Sequence, residues 1–229
     1  MAESETAAGV PADLKARLKA SYDAMAPTYN EWTIPHSQQR MEYLGKALDH
    51  LKPETRPGLA FLELGCGCGL PVTKELLSHG AARVVANDLS DTQVSLAREN
   101  LLRERPQDEA GLELIQGDMT ALEFADGSFD LVVAFYSLIH LPRAEQTALL
   151  ARVARWLRPG GCLVANFAKE ELEAVVMEKW LDERGWMFWS AWGEEKTLET
   201  VKTAGFEVVV ADVVEDVVDA SFLWVIARR

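Results

Sequence analysis

Residues 61–70 read FLELGCGCGL, an apolar run that passes at once into three glycines and two cysteines. The apolar run is typical of a buried strand. Glycines directly after it indicate a tight turn, where the backbone comes close to a ligand or to a following helix. The cysteines leave a second possibility open, since a Cys-x-Cys pair also occurs in metal and redox sites. This turn therefore bears on both the fold and the molecule that the protein binds.

The spacing of the glycines distinguishes this turn from a dinucleotide loop. Gly65, Gly67 and Gly69 are spaced two and two, whereas the fingerprint G-x-G-x-x-G would need its third glycine at Leu70. A pyrophosphate loop is possible but not matched by this pattern. Glycine alone is weak evidence for any ligand, because a tight turn into a helix needs the same residue type.

The composition is that of one globular domain. The chain has 229 residues, 48% hydrophobic and 26% charged, which is enough to bury one core. The formal net charge of −13 disfavours nucleic acid as a partner, since nucleic-acid binders usually present a basic face. Three cysteines (Cys66, Cys68 and Cys162), no signal-peptide pattern and no long apolar run predict reduced thiols, a cytoplasmic location and no membrane segment.

Strands and helices alternate along most of the sequence. Alternation of this kind predicts an α/β fold with a parallel sheet covered on both faces, closed by an antiparallel pair. The predicted strands are 59–64, 83–88, 112–117, 129–137, 162–168, 206–214 and 221–229. Four of the predicted helices are 12–25, 37–51, 170–183 and 195–204. A loop is expected after Pro27, and an aromatic loop over 185–193.

Acidic residues stand at the ends of two predicted strands. In a doubly wound sheet, ligands bind beyond the carboxyl ends of the strands. Asp88 is placed to accept hydrogen bonds from both hydroxyls of a ribose, although a helix N-cap would use the same residue. Asp118 is placed to meet the amino edge of an adenine, although a turn with an Asx cap is the alternative.

Five motifs occur in one order and at consistent distances: ELGCGCG, ANDLS, GDM, GSFDLVVAFYSLIHLP and LRPGG. Together they resemble the class I S-adenosylmethionine-dependent methyltransferase family. The resemblance covers residues 58–168, with weaker support from AGFEVV and the closing strand. It implies a Rossmann-like, doubly wound seven-stranded sheet of order 3-2-1-4-5-7-6 with strand 7 antiparallel, plus N-terminal helices.

The resemblance also suggests how the chain is organised. Residues 1–11 are expected to be a flexible tail, and 12–229 a single methyltransferase domain. Within the domain, four parts are expected: an N-terminal helical lid region (12–57), a cofactor-binding core (58–168), an aromatic-rich substrate-side insertion (169–205) and the closing strands (206–229).

S-adenosylmethionine is the cofactor that the resemblance implies, with S-adenosylhomocysteine as its product. Gly65, Cys66 and Gly67 would let the loop approach the methionine part, and Glu63 would orient that loop. Asp88 would hold the ribose. The remaining residues of the implied cofactor site are Leu89, Asp118 and Met119 at the adenine, Phe135 near the amino group, and Tyr22, Tyr29 and Trp32 in the N-terminal segment that closes over the cofactor.

The methyl acceptor has weaker sequence signals. If it must lose a proton, His140 just past the fourth strand is the candidate general base, although a helix-terminus or packing histidine is the more common interpretation of such a position. Tyr136 is a second polar candidate, more often a wall residue, and His36 in the lid region a third. An aromatic cluster follows strand five and is either a wall for an apolar acceptor or simply core. Its candidate substrate-binding members are Trp186, Trp189 and Trp192.

The favoured function is therefore methyl transfer to an O, N or S atom of a small molecule, by a monomer or homodimer. Strand four ends in AFYS rather than the Asn/Asp-Pro-Pro-aromatic signature of base-amino methylation, and no acidic metal triad is evident, so no metal is expected. Three alternatives stay open: methylation of a protein or peptide, a nicotinamide-dependent oxidoreductase, and a non-catalytic binding module. Cys66 and Cys68 are expected to be small residues of the loop without chemistry of their own.

Overall fold

The architecture is that of a computed structural model, which describes residues 6–7, 9–51, 58–103, 111–216 and 220–229. The strands are β1 (Thr6–Ala7), β2 (Ala60–Leu64), β3 (Arg83–Asp88), β4 (Leu112–Gln116), β5 (Phe129–Ala134), β6 (Leu157–Ala168), β7 (Glu171–Glu178), β8 (Trp186–Trp192), β9 (Glu207–Glu215) and β10 (Ser221–Arg228). The helices are α1 (Leu14–Thr33), α2 (Gln38–His50), α3 (Val72–Ser78), α4 (Asp91–Leu102), α5 (Arg143–Trp156) and α6 (Glu194–Thr203).

Seven strands form the central sheet, in the order β4-β3-β2-β5-β6-β10-β9. Counted within this sheet alone, that order is 3-2-1-4-5-7-6, and β10 runs antiparallel to both of its neighbours. The predicted fold class is confirmed. The two central strands β2 and β5 are buried at every position, which explains why they read as continuous apolar runs rather than alternating ones.

The core lies on both faces of this sheet. Alternate residues of β2 point to opposite faces, so Leu62 packs with α5 and α6 while Phe61 packs with α2 and α3. Trp156 and Trp224 are fully buried, one on each side. Because the strands β2 to β5 run parallel, their carboxyl ends meet at one edge of the sheet, which is the usual place for a ligand in this architecture.

A second sheet of three strands, β1-β7-β8, replaces the helix predicted over 170–183 and the aromatic loop predicted over 185–193. Both predictions were wrong. The segment ELEAVVME contains good helix formers, but pairing with the aromatic strand WMFWSAW decides its conformation. Thr6 and Ala7 pair with Val176 and Val175, so the expected tail is strand at these two residues, while 1–5 and 8 lie outside the described residues.

Helix α1 continues through Pro27, so the predicted break and loop were also wrong. Packing on both sides of the proline outweighs the loss of one backbone hydrogen bond. Leu18 and Met25 are buried before it, and Thr33 after it. The second half of α1 is further held by Asn30, whose side-chain amide exchanges two hydrogen bonds of 3.1 Å with that of Gln93 on α4. The helix thus lies across the carboxyl edge of the sheet.

Candidate functional site

The glycine turn after β2 is shaped by close packing on one side and open space on the other. Gly65 and Gly67 both adopt left-handed backbone conformations, with φ of 82° and 53°. A Cβ at Gly65 would lie 2.5 Å from the Cβ of Ser137, so no larger residue fits there. A Cβ at Gly67 would meet nothing within 4 Å, because this residue lines an open cleft. The turn therefore brings bare backbone to the wall of the cleft.

Asp88 joins the glycine turn to the start of α4. Its carboxylate accepts hydrogen bonds from the backbone N–H of Gly67 at 2.8 Å and of Ser90 at 2.9 Å. Each carboxylate oxygen keeps a further lone pair, so the group can still accept from two hydroxyls in the cleft that it lines. Burial raises the pKa of Asp88 above its ordinary value, which is the desolvation expected for a carboxyl at the floor of a cleft.

The carboxyl ends of β3 and β4 supply the next part of the wall. Leu89, Asp118 and Met119 all line the same cleft as Asp88. The carboxylate of Asp118 accepts from the backbone N–H of Thr120 at 2.9 Å, which is the Asx cap that the sequence left as an alternative. It also faces the ammonium of Lys15 on α1 at 3.4 Å. Asp118 thus caps its turn and presents the same carboxylate to the cleft.

The end of β5 contributes one predicted residue and one that sequence reasoning missed. Phe135 lines the cleft, as expected. Ser137, two residues later, also lines it, and its buried hydroxyl has no hydrogen-bond partner among the described residues. A buried hydroxyl without a partner is costly unless a ligand satisfies it. The only sequence signal for Ser137 was its place in the motif AFYSLIH.

Helix α1 closes the cleft from above. Tyr22 and Tyr29 line it, with their rings edge to face at a centroid distance of 5.3 Å. The helix is docked on α4 through Asp23, whose carboxylate accepts from the hydroxyl of Ser90 at 2.6 Å and from the backbone N–H of Thr92 at 3.1 Å. Helix α1 and the carboxylate of Asp88 are therefore tied to the same short segment of chain.

A second, larger cavity adjoins the cleft, with a volume of about 330 Å³. The two share four residues, Tyr22, Tyr29, Tyr136 and His140, which we call the junction. Most of the other walls of the cavity are aromatic or aliphatic. They are Trp32, Thr33, His36, Ile139, Ala168, Leu172, Met177, Trp180, Trp189, Asp216, Ala220, Ser221 and Phe222.

His140 is fully engaged within the protein. Its Nδ1 lies 2.9 Å from the carbonyl oxygen of Phe188, which makes Nδ1 the protonated nitrogen, and its Nε2 accepts from the hydroxyl of Tyr22 at 2.9 Å. Burial lowers its pKa from 6.5 to about 4, so the ring is neutral near pH 7. The role of direct general base predicted for His140 does not fit this geometry, because neither ring nitrogen is left for an acceptor.

Tyr136 is held as a wall of the junction. It adopts a left-handed conformation with φ of 52°, which is uncommon for an aromatic residue and directs the chain sharply out of β5. Its backbone N–H donates to Asn166 at 2.7 Å, and its hydroxyl donates to Asp216 at 2.9 Å. Burial and the carboxylate of Asp216 raise its pKa, so the phenol stays protonated. These contacts favour the wall role over that of a base.

Four predicted site residues lie elsewhere than expected. Trp186 packs on Leu14 and Leu18 under the guanidinium of Arg17, and Trp192 donates to the hydroxyl of Thr147 on the outside of the domain. Neither lines the cleft or the cavity, so the structure does not bring them to the candidate acceptor site. The other two are Trp32, which lines the cavity rather than the cleft, and Cys66, which is buried behind the turn.

Glu63 supports the turn from within. Its carboxyl group accepts from the hydroxyl of Thr73 at 2.5 Å, and burial raises its pKa from 4.5 to about 8. Burial also raises the pKa of the Cys66 thiol well above its usual range. Across the described ranges, no three His, Cys, Asp or Glu side chains form a metal-binding group. Nor is any described helix long and apolar enough to span a membrane.

Comparison with known proteins agrees with this geometry. Residues 61–161 match the sequence model of a family described as "Methyltransferase domain". The chain is 30% identical over 163 residues to 24-methylenesterol C-methyltransferase 2 of Arabidopsis thaliana, covering 68% of this chain and 44% of that protein. It is 32% identical over 138 residues to methyltransferase GfsG of Streptomyces halstedii, covering 59% and 48%. The alignments thus span less than half of each relative.

The solved structures extend the likeness to nearly the whole fold. The 1,6-didemethyltoxoflavin-N1-methyltransferase of Burkholderia thailandensis superposes with a TM-score of 0.72 at 18% identity, covering 97% of this chain and 91% of that one. At this identity the match concerns the fold alone. The sheet order, the glycine turn with Asp88 at the next strand end, and the matched family model lead to one conclusion. Residues 61–161 carry a methyltransferase domain, and these findings support a class I S-adenosylmethionine-dependent methyltransferase.

Proposed function

We propose that the protein transfers a methyl group from S-adenosylmethionine to an O, N or S atom of a small-molecule acceptor. The observation that carries this proposal is the junction, where a cleft with the features of a nucleoside site adjoins an aromatic cavity and Tyr22, Tyr29, Tyr136 and His140 line both. A donor in the cleft and an acceptor in the cavity would meet there, which is the alignment that methyl transfer requires.

The residues of the cleft fit the cofactor in three ways. Asp88 offers spare lone pairs to ribose hydroxyls, and Asp118 with Met119 lies at the strand edge where an adenine would be bound. The bare backbone at Gly67 and the hydroxyl of Ser137, which has no partner within the described part of the chain, give the methionine part a surface to approach. When bound, S-adenosylmethionine supplies an electrophilic methyl group on a positively charged sulfur.

The chain's own task is positioning and exclusion of water. Asp23, Asn30 and Lys15 tie α1 to the far side of the cleft, so that the lid covers the junction. Tyr22 is held in place by His140, and we assign His140 the role of a positioning residue for that hydroxyl. Tyr136 fixes the opposite wall through its bond to Asp216.

The shape of the cavity favours a small molecule over a peptide. A cavity of about 330 Å³ walled by Trp32, Trp180 and Trp189 admits a compact apolar ligand, whereas a peptide acceptor would need an open groove across the surface. A nicotinamide cofactor is disfavoured by the two-and-two glycine spacing, which does not match the pyrophosphate fingerprint.

Isothermal titration tests the cofactor part of the proposal. The protein should bind S-adenosylmethionine and S-adenosylhomocysteine, and Asp88→Asn should bind both much more weakly, while NADH should not bind. Binding of NADH without binding of either sulfur compound would reverse the proposal. A methyl-transfer screen with phenols, amines, thiols, carboxylates and a basic peptide, read by mass spectrometry, then tests the acceptor class. Methylation of the peptide alone would replace the small-molecule proposal.

A further inference from the structure

The charges around the acceptor cavity are one-sided. The described residues that line it include one carboxylate, Asp216, and no lysine or arginine. His140 contributes no positive charge near pH 7, because burial holds its pKa at about 4. A carboxylate or phosphate group on an acceptor would find no lysine or arginine among these lining residues, whereas a positive charge would find Asp216, whose carboxylate also accepts from Tyr136. The other ionisable lining residue, His36, lies with its Nδ1 2.7 Å from the carbonyl oxygen of Trp32.

Aromatic rings make up much of the remaining wall. Trp180 packs edge to face against Trp32 and against Trp189, with centroid distances of 5.8 Å and interplanar angles of 82° in both pairs. Tyr136 and Phe222 form a similar pair at 5.1 Å and 79°. Rings set at right angles present both faces and edges to the space between them, and a ring face attracts a cation.

Trp180 is held in this wall by a strained turn. The residues on either side of it, Lys179 and Leu181, have left-handed conformations with φ of 57° and 60° although neither is glycine. Gly185 closes the turn, and a Cβ there would lie 1.9 Å from the carbonyl oxygen of Trp180. Two such residues, one on each side of the same tryptophan, cost free energy that packing must offset, and strain of this kind is concentrated at functional sites.

The junction also lacks a group that can take a proton from an acceptor. Both nitrogens of His140 are used by Tyr22 and Phe188. Burial raises the pKa of Tyr22, Tyr29 and Tyr136, so all three phenols stay protonated near pH 7. Phenols and carboxylic acids react as their anions, and none of the four junction residues is placed to take the proton that such an acceptor would lose.

We propose that the acceptor is a compact, planar, uncharged molecule that is methylated on a tertiary or aromatic-ring nitrogen to give a permanent cation. This inference rests on the proposed function and names its acceptor class. The lone pair of the nitrogen forms the new N–C bond, the S–C bond breaks, and its electron pair stays on sulfur. No proton leaves, and the positive charge ends on the acceptor inside the aromatic cavity near Asp216.

Positive groups stand behind the wall of the cavity. Arg143 donates to the carbonyl oxygen of the lining residue Leu172 at 3.1 Å. The guanidinium of Arg40 lies 5.9 Å from the ring of Tyr136, and it donates hydrogen bonds to the hydroxyls of Thr33 and Ser37. Arg40 is buried and does not line the cavity, so its charge reaches an acceptor only through the wall. An anionic acceptor that drew on Arg40 is the competing possibility, and one arm of the experiment addresses it.

The experiment compares three probes of the same two-ring size on protein saturated with S-adenosylhomocysteine. N-methylquinolinium represents the cationic product, 1-methylnaphthalene is its uncharged isostere, and 1-naphthoate is the anion. Titration followed by tryptophan fluorescence should show the cation binding about tenfold more tightly than the isostere, in the range of a desolvated cation–π site. The anion should bind most weakly.

Two variants test whether the preference for the cationic probe arises in the cavity. Trp180→Leu and, separately, Asp216→Asn should each reduce the preference for the cation about threefold or more while leaving the affinity for S-adenosylhomocysteine unchanged. Trp192→Leu, a matched change outside the cavity, should alter neither affinity. Equal binding of cation and isostere, tighter binding of 1-naphthoate, or a preference that survives both cavity variants would overturn the inference.

The same samples keep the two proposals apart. If S-adenosylhomocysteine binds but the cation is not preferred, the acceptor class is wrong and methyl transfer stands. If S-adenosylhomocysteine does not bind, the proposed function and this inference both fall. Mass spectrometry with quinoline and 1-naphthol as acceptors adds a second readout, and methylation of 1-naphthol but not of quinoline would contradict the inference.

Discussion

Replacing Glu63 with glutamine should remove most of a pH dependence of stability that the buried carboxyl imposes on the glycine turn. Burial raises the pKa of Glu63 from 4.5 to about 8 in the folded protein. Between these two values the folded state binds a proton that the unfolded state has lost. The contribution of Glu63 to the free energy of unfolding is therefore largest below about pH 4.5 and is lost as the pH rises to about 8.

The magnitude follows from the distance between the two pKa values. Between about pH 4.5 and about pH 8 the free energy of unfolding should change by roughly 5 kcal/mol. From about pH 5.5 to about pH 8 the change should be roughly 3 kcal/mol. His140 acts in the opposite direction, because its lowered pKa of about 4 makes the folded state more stable as the pH rises toward 6.5. Since Glu63→Gln keeps His140, the difference between the two proteins isolates the carboxyl.

Urea unfolding followed by tryptophan fluorescence measures this difference. The free energy of unfolding of the native protein, minus that of Glu63→Gln, should fall by roughly 3 kcal/mol from about pH 5.5 to about pH 8. Glutamine can still accept the hydrogen bond from Thr73, so the variant should fold. Glu199→Gln on the exposed side of α6 is the control and should show no such trend. A difference independent of pH would refute the assignment of a buried, protonated Glu63.

The remaining predictions concern the cleft, the junction and the thiols. Asp88→Asn should weaken S-adenosylhomocysteine binding about a hundredfold or more in a calorimetric titration, since two hydrogen bonds to a charged group contribute roughly 3 kcal/mol or more. Asp91→Asn changes an exposed neighbouring carboxylate, and its affinity for S-adenosylhomocysteine should stay within about threefold of that of the native protein. Equal losses of affinity in the two variants would contradict the ribose-binding role of Asp88. The rate of methyl transfer from about pH 6 to about pH 9 should show no inflection from His140, whose pKa is about 4. An inflection that is present in the native protein and lost in His140→Asn would show that His140 acts as a general base. Cys66 and Cys68, whose pKa values burial raises, should react with iodoacetamide only as fast as the protein unfolds, and rapid alkylation of the native protein would show an accessible thiolate.

The parts that sequence predicted best are those fixed by local pattern at strand ends. The apolar run 61–64, the glycines after it and the carboxylate of Asp88 occupy neighbouring strands of a parallel sheet, so their convergence follows from topology alone. The same argument placed Asp118 and Phe135 at the cleft. Each of these residues lies at or just after the end of its own strand, so a local pattern is enough to predict its place.

The parts that sequence missed depend on contacts between distant segments. The strand β7 has a helix-forming composition and becomes strand only through its pairing with β8. Trp186 and Trp192 lie on β8, and the pairing and packing of β8 turn both side chains away from the cavity that Trp189 lines. The bonding of His140 to Tyr22 and Phe188 joins residues 118 and 48 positions apart, which no local pattern records.

The most direct test of the central claim is a crystal structure of the protein with S-adenosylhomocysteine. The ribose hydroxyls should lie within hydrogen-bonding distance of the carboxylate of Asp88, the adenine beside Asp118 and Met119, and the sulfur should face the junction of Tyr22, Tyr29, Tyr136 and His140. A ligand whose sulfur points away from the aromatic cavity, or whose ribose leaves Asp88 without contact, would contradict the account.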